Sequence, residues 1–207
     1  GWLTRSLGLT IDNLLGVTIV TADGTLHTVS ATSEPELFWA LRGGGGNFGV
    51  VTSFEFRLHP VGPEVWSGLV VYAGADARKV LRAWRDFNAT APEALSVWTV
   101  LRKAPPLPFI PAEHHGRDVV IFPLVHAGDL AAGEKAAAPV AAFGTPIGTA
   151  LGPTPYAGFQ QAFDPLLAPG SRNYWKTNNF ASLSDAAIDL MIEAAKASQS
   201  TLGVKIM

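Results

Sequence analysis

Hydrophobic and polar residues alternate from Val17 to Thr21, pause at Ala22-Asp23-Gly24, and resume through Leu26-His27-Thr28-Val29. Period-two alternation predicts half-buried strands, and Asp-Gly accepts the positive φ of a tight turn, so this stretch predicts a β-hairpin. Ser33-Glu34-Pro35-Glu36 has capping-box spacing, with Pro35 in a first turn where its missing N–H leaves nothing unpaired. The helix predicted next carries Leu37, Phe38 and Leu41 on one face and stops at Gly43. Val51-Thr52-Ser53-Phe54-Glu55-Phe56-Arg57-Leu58 alternates again as a half-buried strand.

Pro60-Val61-Gly62-Pro63 predicts a domain boundary, dividing 1–61 from 62–207. Beyond it come a strand at about 65–72 and a helix with Ala77, Val80, Leu81, Trp84 and Phe87 on one stripe. Strands near 95–102 and 118–126 flank a proline-rich loop from Pro105 to Gly116. An alanine-rich helix covers roughly 129–142, and a loop and short helix lead to Phe163. A strand near 172–181, a helix from about Ser184 to Ser198 and a final apolar stretch complete the chain. This order predicts an α+β fold whose second part has helices on one face of an antiparallel sheet. Trp84, Phe87 and Trp98 read as core.

Composition narrows the function classes. A net charge of −2 with no basic run leaves no electrostatic footprint for nucleic acid or an anionic membrane. The absence of Cys excludes a disulfide framework, a thiolate metal site and a catalytic thiol within these residues. No apolar run approaches transmembrane length, which leaves the compartment open. The chain opens on Gly1-Trp2-Leu3 and stops in Val204-Lys205-Ile206-Met207. An apolar strand left unpaired at a terminus exposes backbone and side chains together, so both ends are expected to be interior points of a longer polypeptide.

The candidate chemistry centres on Arg42-Gly43-Gly44-Gly45-Gly46-Asn47-Phe48-Gly49-Val50-Val51-Thr52. Four consecutive glycines raise the entropy lost on folding, which makes sense where backbone must approach something closely. Successive exposed N–H groups can form an anion-binding concavity, and a diphosphate is the usual occupant. A flexible connector after a helix end is the other reading. The glycines follow a helix and precede a strand, opposite to the helix-opening dinucleotide fingerprint, and no Lys-Ser/Thr pair marks a nucleotide-kinase loop.

Gly1-Trp2-Leu3-Thr4-Arg5-Ser6-Leu7-Gly8-Leu9-Thr10-Ile11-Asp12-Asn13-Leu14 is followed by Val20-Thr21-Ala22-Asp23-Gly24 and by Leu37-Phe38-Trp39-Ala40-Leu41-Arg42 running into the glycine turn. In this order and spacing the segments resemble the berberine bridge enzyme-like flavoproteins of the vanillyl-alcohol-oxidase/PCMH superfamily of FAD-linked oxidases. The resemblance is densest over 1–60 and looser beyond. It implies the C-terminal lobe of a PCMH-type FAD-binding domain over 1–61, and a substrate-binding domain over 62–207. It implies FAD as cofactor, a small organic substrate such as a sugar, alkaloid or other secondary metabolite, and O2 as reoxidant. Gly1 and Trp2 are then expected beside the diphosphate or ribityl chain. Gly46, Asn47, Phe48, Gly49, Val50 and Val51 are expected along the nucleotide end. Asp12 and Asn13 read either as cofactor contacts or as a polar turn before the strand at 17–21.

The family's flavin-linking His loop and its C-terminal acid–base segment have no counterpart here, so the resemblance assigns no catalytic residue and the chain alone is expected to be inactive. His27, His59, His114, His115 and His126 lie in no such loop, and His114-His115 reads as a solvated pair without a carboxylate cluster. On a strand at 172–181, Tyr174, Lys176 and Asn178 share one face and Trp175 takes the other. That face could line a substrate pocket or be plain exposed sheet. A non-catalytic FAD- or ligand-binding protein is the alternative function, and a cofactor-free structural domain a further one.

Overall fold

The computed structural model describes residues 1–164, 169–170, 176–198 and 204–206. The chain divides into two compact units, Gly1–Pro60 and Val61–Met207.

In the first unit a short helix α1 (Thr4–Leu7) and a 3-10 turn (Thr10–Asn13) lead into β1 (Leu14–Val20). Next come β2 (Leu26–Ser30), helix α2 (Pro35–Leu41) and β3 (Val50–Phe56). The antiparallel sheet runs in the order β2-β1-β3. Leu14, Val17, Ile19, Val29 and Phe38 form its core, with Leu37, Leu41, Phe48 and Val51 packed against them. The hairpin forms as its pattern predicts, with Gly24 at φ 79°. Asp23 accepts hydrogen bonds from the Thr21 hydroxyl at 2.5 Å, the Thr25 hydroxyl at 2.9 Å and the Thr25 N–H at 3.1 Å. These donors, Thr21 foremost, favour the carboxylate and hold Asp23 at a pKa of about 2.

The capping box at Ser33 does not form. The Ser33 hydroxyl donates instead to the Thr28 carbonyl at 3.1 Å, and Glu34, in left-handed conformation, precedes the helix. Glu34 turns its carboxylate to His27 Nδ1 at 2.9 Å, so the polar atoms at this helix start are committed to β2.

The second unit contains β4 (Glu64–Ala73), α3 (Ala77–Asn88), β5 (Leu95–Val97), β6 (Thr99–Lys103) and β7 (Asp118–His126). They are followed by α4 (Leu130–Ala137), β8 (Gly148–Pro155), α5 (Tyr156–Gln161), α6 (Asp185–Ala197) and β9 (Val204–Ile206). The antiparallel sheet runs β8-β4-β7-β6-β9, with β5 also pairing to β7. Alternation along each strand separates two apolar layers. On one face Val70, Tyr72, Val120, Phe122 and Leu124 meet Val80, Leu81 and Trp84 of α3, Ala137 of α4, and Ile188 and Ile192 of α6. On the other, Val71, Val100, Val119 and Ile121 pack against Leu107, Phe109 and Ile110 of the proline-rich loop. Helices therefore cover one sheet face, as the element order predicts. Two large core residues satisfy their polar tips. The Tyr72 hydroxyl donates to the Val140 carbonyl at 2.6 Å and Trp84 Nε1 donates to the Val97 carbonyl at 3.0 Å.

Two sequence expectations fail in this unit. Gly148–Pro155 is a strand where the sequence reads as loop; as an edge strand it tolerates Pro153 and Pro155, whose missing N–H groups would break a central one. The strand expected near 172–181 is absent over residues 176–180, which have no regular secondary structure and are exposed. Tyr174 and Trp175 lie outside the described residues. The alternation that placed Lys176 and Asn178 together on a sheet face therefore has no sheet to act on.

Candidate functional site

The glycine turn is built by the two elements it joins. Helix α2 ends at Leu41 with the Gly44 N–H donating to the Ala40 carbonyl at 2.8 Å, and a 3-10 turn at Gly45–Asn47 redirects the chain into β3. Asn47 Nδ2 donates to the Gly44 carbonyl at 2.8 Å and closes the turn from within. Gly43 to Asn47 are all exposed.

The glycines divide by what a side chain would meet. At Gly44 a Cβ would lie 2.6 Å from the Ala40 carbonyl oxygen and inside the Phe48 ring. At Gly49, with φ 144°, it would strike the Val20 carbonyl. Those two are glycine because the fold leaves no room. At Gly43 and Gly46 a Cβ would meet nothing within 4 Å, and at Gly45 only the Asn47 amide, at 4.0 Å. Positive φ, 153° at Gly43 and 71° at Gly45, favours glycine at those two positions whatever the space around them, whereas Gly46, at φ −78°, has no internal reason to lack a side chain; close approach of something outside the turn gives one. The turn thus offers bare backbone of the kind that accommodates a diphosphate, and the residues present fit FAD.

The remaining expected contacts are placed as follows. Phe48 and Val51 are half-buried in the small core, whereas Val50 beside them is 70% exposed, an apolar side chain facing outward at the start of β3. Gly1 is exposed and Trp2 is buried. Asp12 and Asn13 spend their polar atoms within their own turn. Asp12 Oδ2 accepts from the Leu9 N–H at 2.8 Å. Asn13 Nδ2 donates to the Leu7 and Leu9 carbonyls at 2.8 and 3.1 Å, and its Oδ1 accepts from His59 Nε2 at 2.6 Å. His115 Nε2 donates to the Ile110 carbonyl at 2.9 Å. Among the described residues no group of His, Asp and Glu could hold a metal ion, and no helix is long and apolar enough to cross a membrane.

Sequence reasoning missed Ser67. It sits in β4 among apolar neighbours, 2% exposed, and its Oγ has no hydrogen-bond partner. Its strand was legible, but a serine on an apolar strand carries no signal until its neighbours across the sheet are known.

No protein-family model matches the chain. An FAD-linked oxidoreductase of Dictyostelium discoideum is 32% identical over 174 residues, 84% of this chain and 36% of that protein. A glucooligosaccharide oxidase of Sarocladium strictum is 54% identical over 65 residues, 31% of this chain and 13% of that protein. Among solved structures, 6-hydroxy-D-nicotine oxidase from Arthrobacter nicotinovorans superposes with a TM-score of 0.64 at 26% identity, over 83% of this chain and 36% of that one. The chain spans about a third of the length of the Dictyostelium relative. Resemblance, fold and glycine turn converge with these comparisons: over most of its length the chain is similar to FAD-linked oxidoreductases in sequence and in fold.

Proposed function

We propose that Gly46–Val51, with Gly1 and Trp2, forms part of the wall of an FAD site, and that residues 62–207 form part of a substrate-binding domain. The parent protein is on this reading an oxidase or dehydrogenase of a small organic molecule, with O2 as terminal acceptor. The observation that carries it is the turn exposed from Gly43 to Asn47, in which Gly46, at φ −78° and with open space around it, is bare of a side chain without internal cause.

FAD would supply the hydride acceptor at its flavin ring. This chain's residues would do the binding. Backbone N–H groups of the turn meet the anionic diphosphate, and the glycines leave it room. Outward-facing Val50 gives an apolar wall beside the nucleotide base. Asn47 holds the turn in shape through its bond to Gly44. Asp12 and Asn13 contribute through the turn they rigidify, and Lys176 and Asn178 remain candidates for substrate contact from an exposed segment.

The test is the visible absorbance of the full-length parent, before and after acid precipitation. Flavin bands that pellet with protein support a covalently held FAD; bands released to the supernatant support non-covalent FAD. No bands after incubation with FAD sinks the reading. Retained flavin that no sugar, alcohol or amine bleaches under anaerobic conditions would favour the non-catalytic alternative.

A further inference from the structure

His59 joins two parts of the first unit that lie 46 positions apart, through a bond to Asn13. The segment it reaches has little apolar packing to fix its place, because Trp2 alone among residues 1–13 is buried. Polar atoms order it instead. The Thr4 N–H donates to the Gly1 carbonyl at 3.3 Å and the Leu7 N–H to the Leu3 carbonyl at 2.9 Å, which fastens the first residues to α1. Asn13 ties α1 to the 3-10 turn, since its Nδ2 donates to the Leu7 carbonyl at 2.8 Å and to the Leu9 carbonyl at 3.1 Å. Asp12 closes the same turn on the Leu9 N–H, and at Gly8, with φ 74°, a Cβ would lie 2.9 Å from Asp12 Oδ2. Residues 1–13 are therefore a small block bonded chiefly to itself.

Besides the burial of Trp2 and the chain's own passage into β1, two bonds anchor that block to the strand-end at 57–59. The Arg57 N–H donates to the Asn13 carbonyl at 2.8 Å, and His59 Nε2 meets Asn13 Oδ1 at 2.6 Å. The direction of the second bond is determined by its surroundings. Asn13 Nδ2 is spent on two carbonyls, so the amide oxygen faces the imidazole and His59 must donate from Nε2. Neutral and protonated imidazole both offer that N–H. The same bond pins the amide in the orientation that keeps Nδ2 on Leu7 and Leu9. His59 itself is exposed, and a hydrogen bond made at the surface adds little to global stability. Its consequence is local, for the placement of α1 and the residues before it.

Resting on the FAD reading above, we propose that His59 is a positioning residue for the cofactor. Acting through Asn13, it holds α1, and with it Gly1 and Trp2, in the place where FAD is received.

The experiment titrates apoprotein of the full-length parent with FAD, read by flavin fluorescence, and unfolds the same proteins in denaturant. His59→Ala is expected to raise the Kd for FAD about three- to tenfold, with the denaturation midpoint inside the range of an ordinary surface change. His59→Gln places an amide N–H at a similar reach and is expected to restore affinity to within about twofold of wild type. In an Asn13→Ala background the acceptor is gone, so adding His59→Ala should cost no further affinity. Unchanged affinity in His59→Ala, no rescue by His59→Gln, or an undiminished loss in the Asn13→Ala background would overturn the inference. So would a loss of stability as large as the loss of affinity, which would make His59 a part of the fold alone. Wild-type protein that takes up no FAD sinks the proposed function and this step with it, whereas FAD uptake indifferent to His59 sinks only this step.

Discussion

Gly46 and Gly49 are neighbours in one turn and are glycine for different physical reasons. Gly49 holds φ 144° against the Val20 carbonyl, so Gly49→Ala is expected to destabilise the protein by about 1–3 kcal/mol or more, measured by chemical denaturation. Gly46, at φ −78°, has open space around it, so Gly46→Val leaves the denaturation midpoint within the range of an ordinary surface change. The same Gly46→Val change is expected to weaken FAD binding, since the side chain occupies the approach path. Equal stability loss in both variants would mean that Gly46 too is internal architecture. His126 gives a second test at this scale. Burial between β7 and the start of α4 depresses its pKa below 6.5, with Asp129 opposing in part. A histidine with a lowered folded pKa binds its proton more readily when unfolded. Its contribution is therefore fully present above pH 6.5 and is lost as pH falls below 6.5 toward the depressed folded value. His126→Leu should flatten that acid limb of the stability curve.

At the scale of elements, α6 is held to α3 by two kinds of contact of unequal weight. Arg78–Asp189, Arg82–Asp185 and Arg85–Asp185 form a ladder of ion pairs at 2.8, 2.8 and 2.7 Å, all substantially exposed. Beneath them Ile188 is fully buried. Ile188→Ala should cost about 2–5 kcal/mol, whereas Asp185→Asn should cost less and lose its effect at high salt. Melting curves at two salt concentrations separate the two. What the sequence disclosed about such elements follows the range of the forces that form them. The β1–β2 hairpin, α2, α3 and α6 were legible because turn chemistry and 3.6- or 2-residue periodicity act within a few positions. Strand β8 was not, since Gly148–Pro155 is a strand only through its pairing with β4. Ser33 misled because a tertiary partner, Thr28, outcompeted the local cap. The glycine turn was legible as a contiguous motif. The surroundings of Ser67 were not, because Val125 of β7 and Gly152 of β8 meet it only through register.

For the whole molecule, charge is scarce: 15% of residues are charged and the net is −2. A diphosphate can be held by lysines and arginines or by backbone N–H groups, and these differ in their response to salt. Between Gly43 and Val51 there is no basic side chain, and the one that precedes it, Arg42, places its guanidinium 5.0 Å from the centre of the Phe38 ring. Backbone groups in a shaped turn act at contact distance, where a Debye length of about 8–10 Å gives little screening. FAD affinity is therefore expected to change by less than about threefold between low salt and half-molar salt, where a site built on exposed basic side chains would lose far more. Titration of apoprotein with FAD at several salt concentrations, read by flavin fluorescence, gives the slope. A shallow slope in the wild type that stays shallow in Arg42→Ala assigns the diphosphate to the glycine backbone. A steep slope that Arg42→Ala abolishes would move the anion-binding role from the turn to the guanidinium beside it.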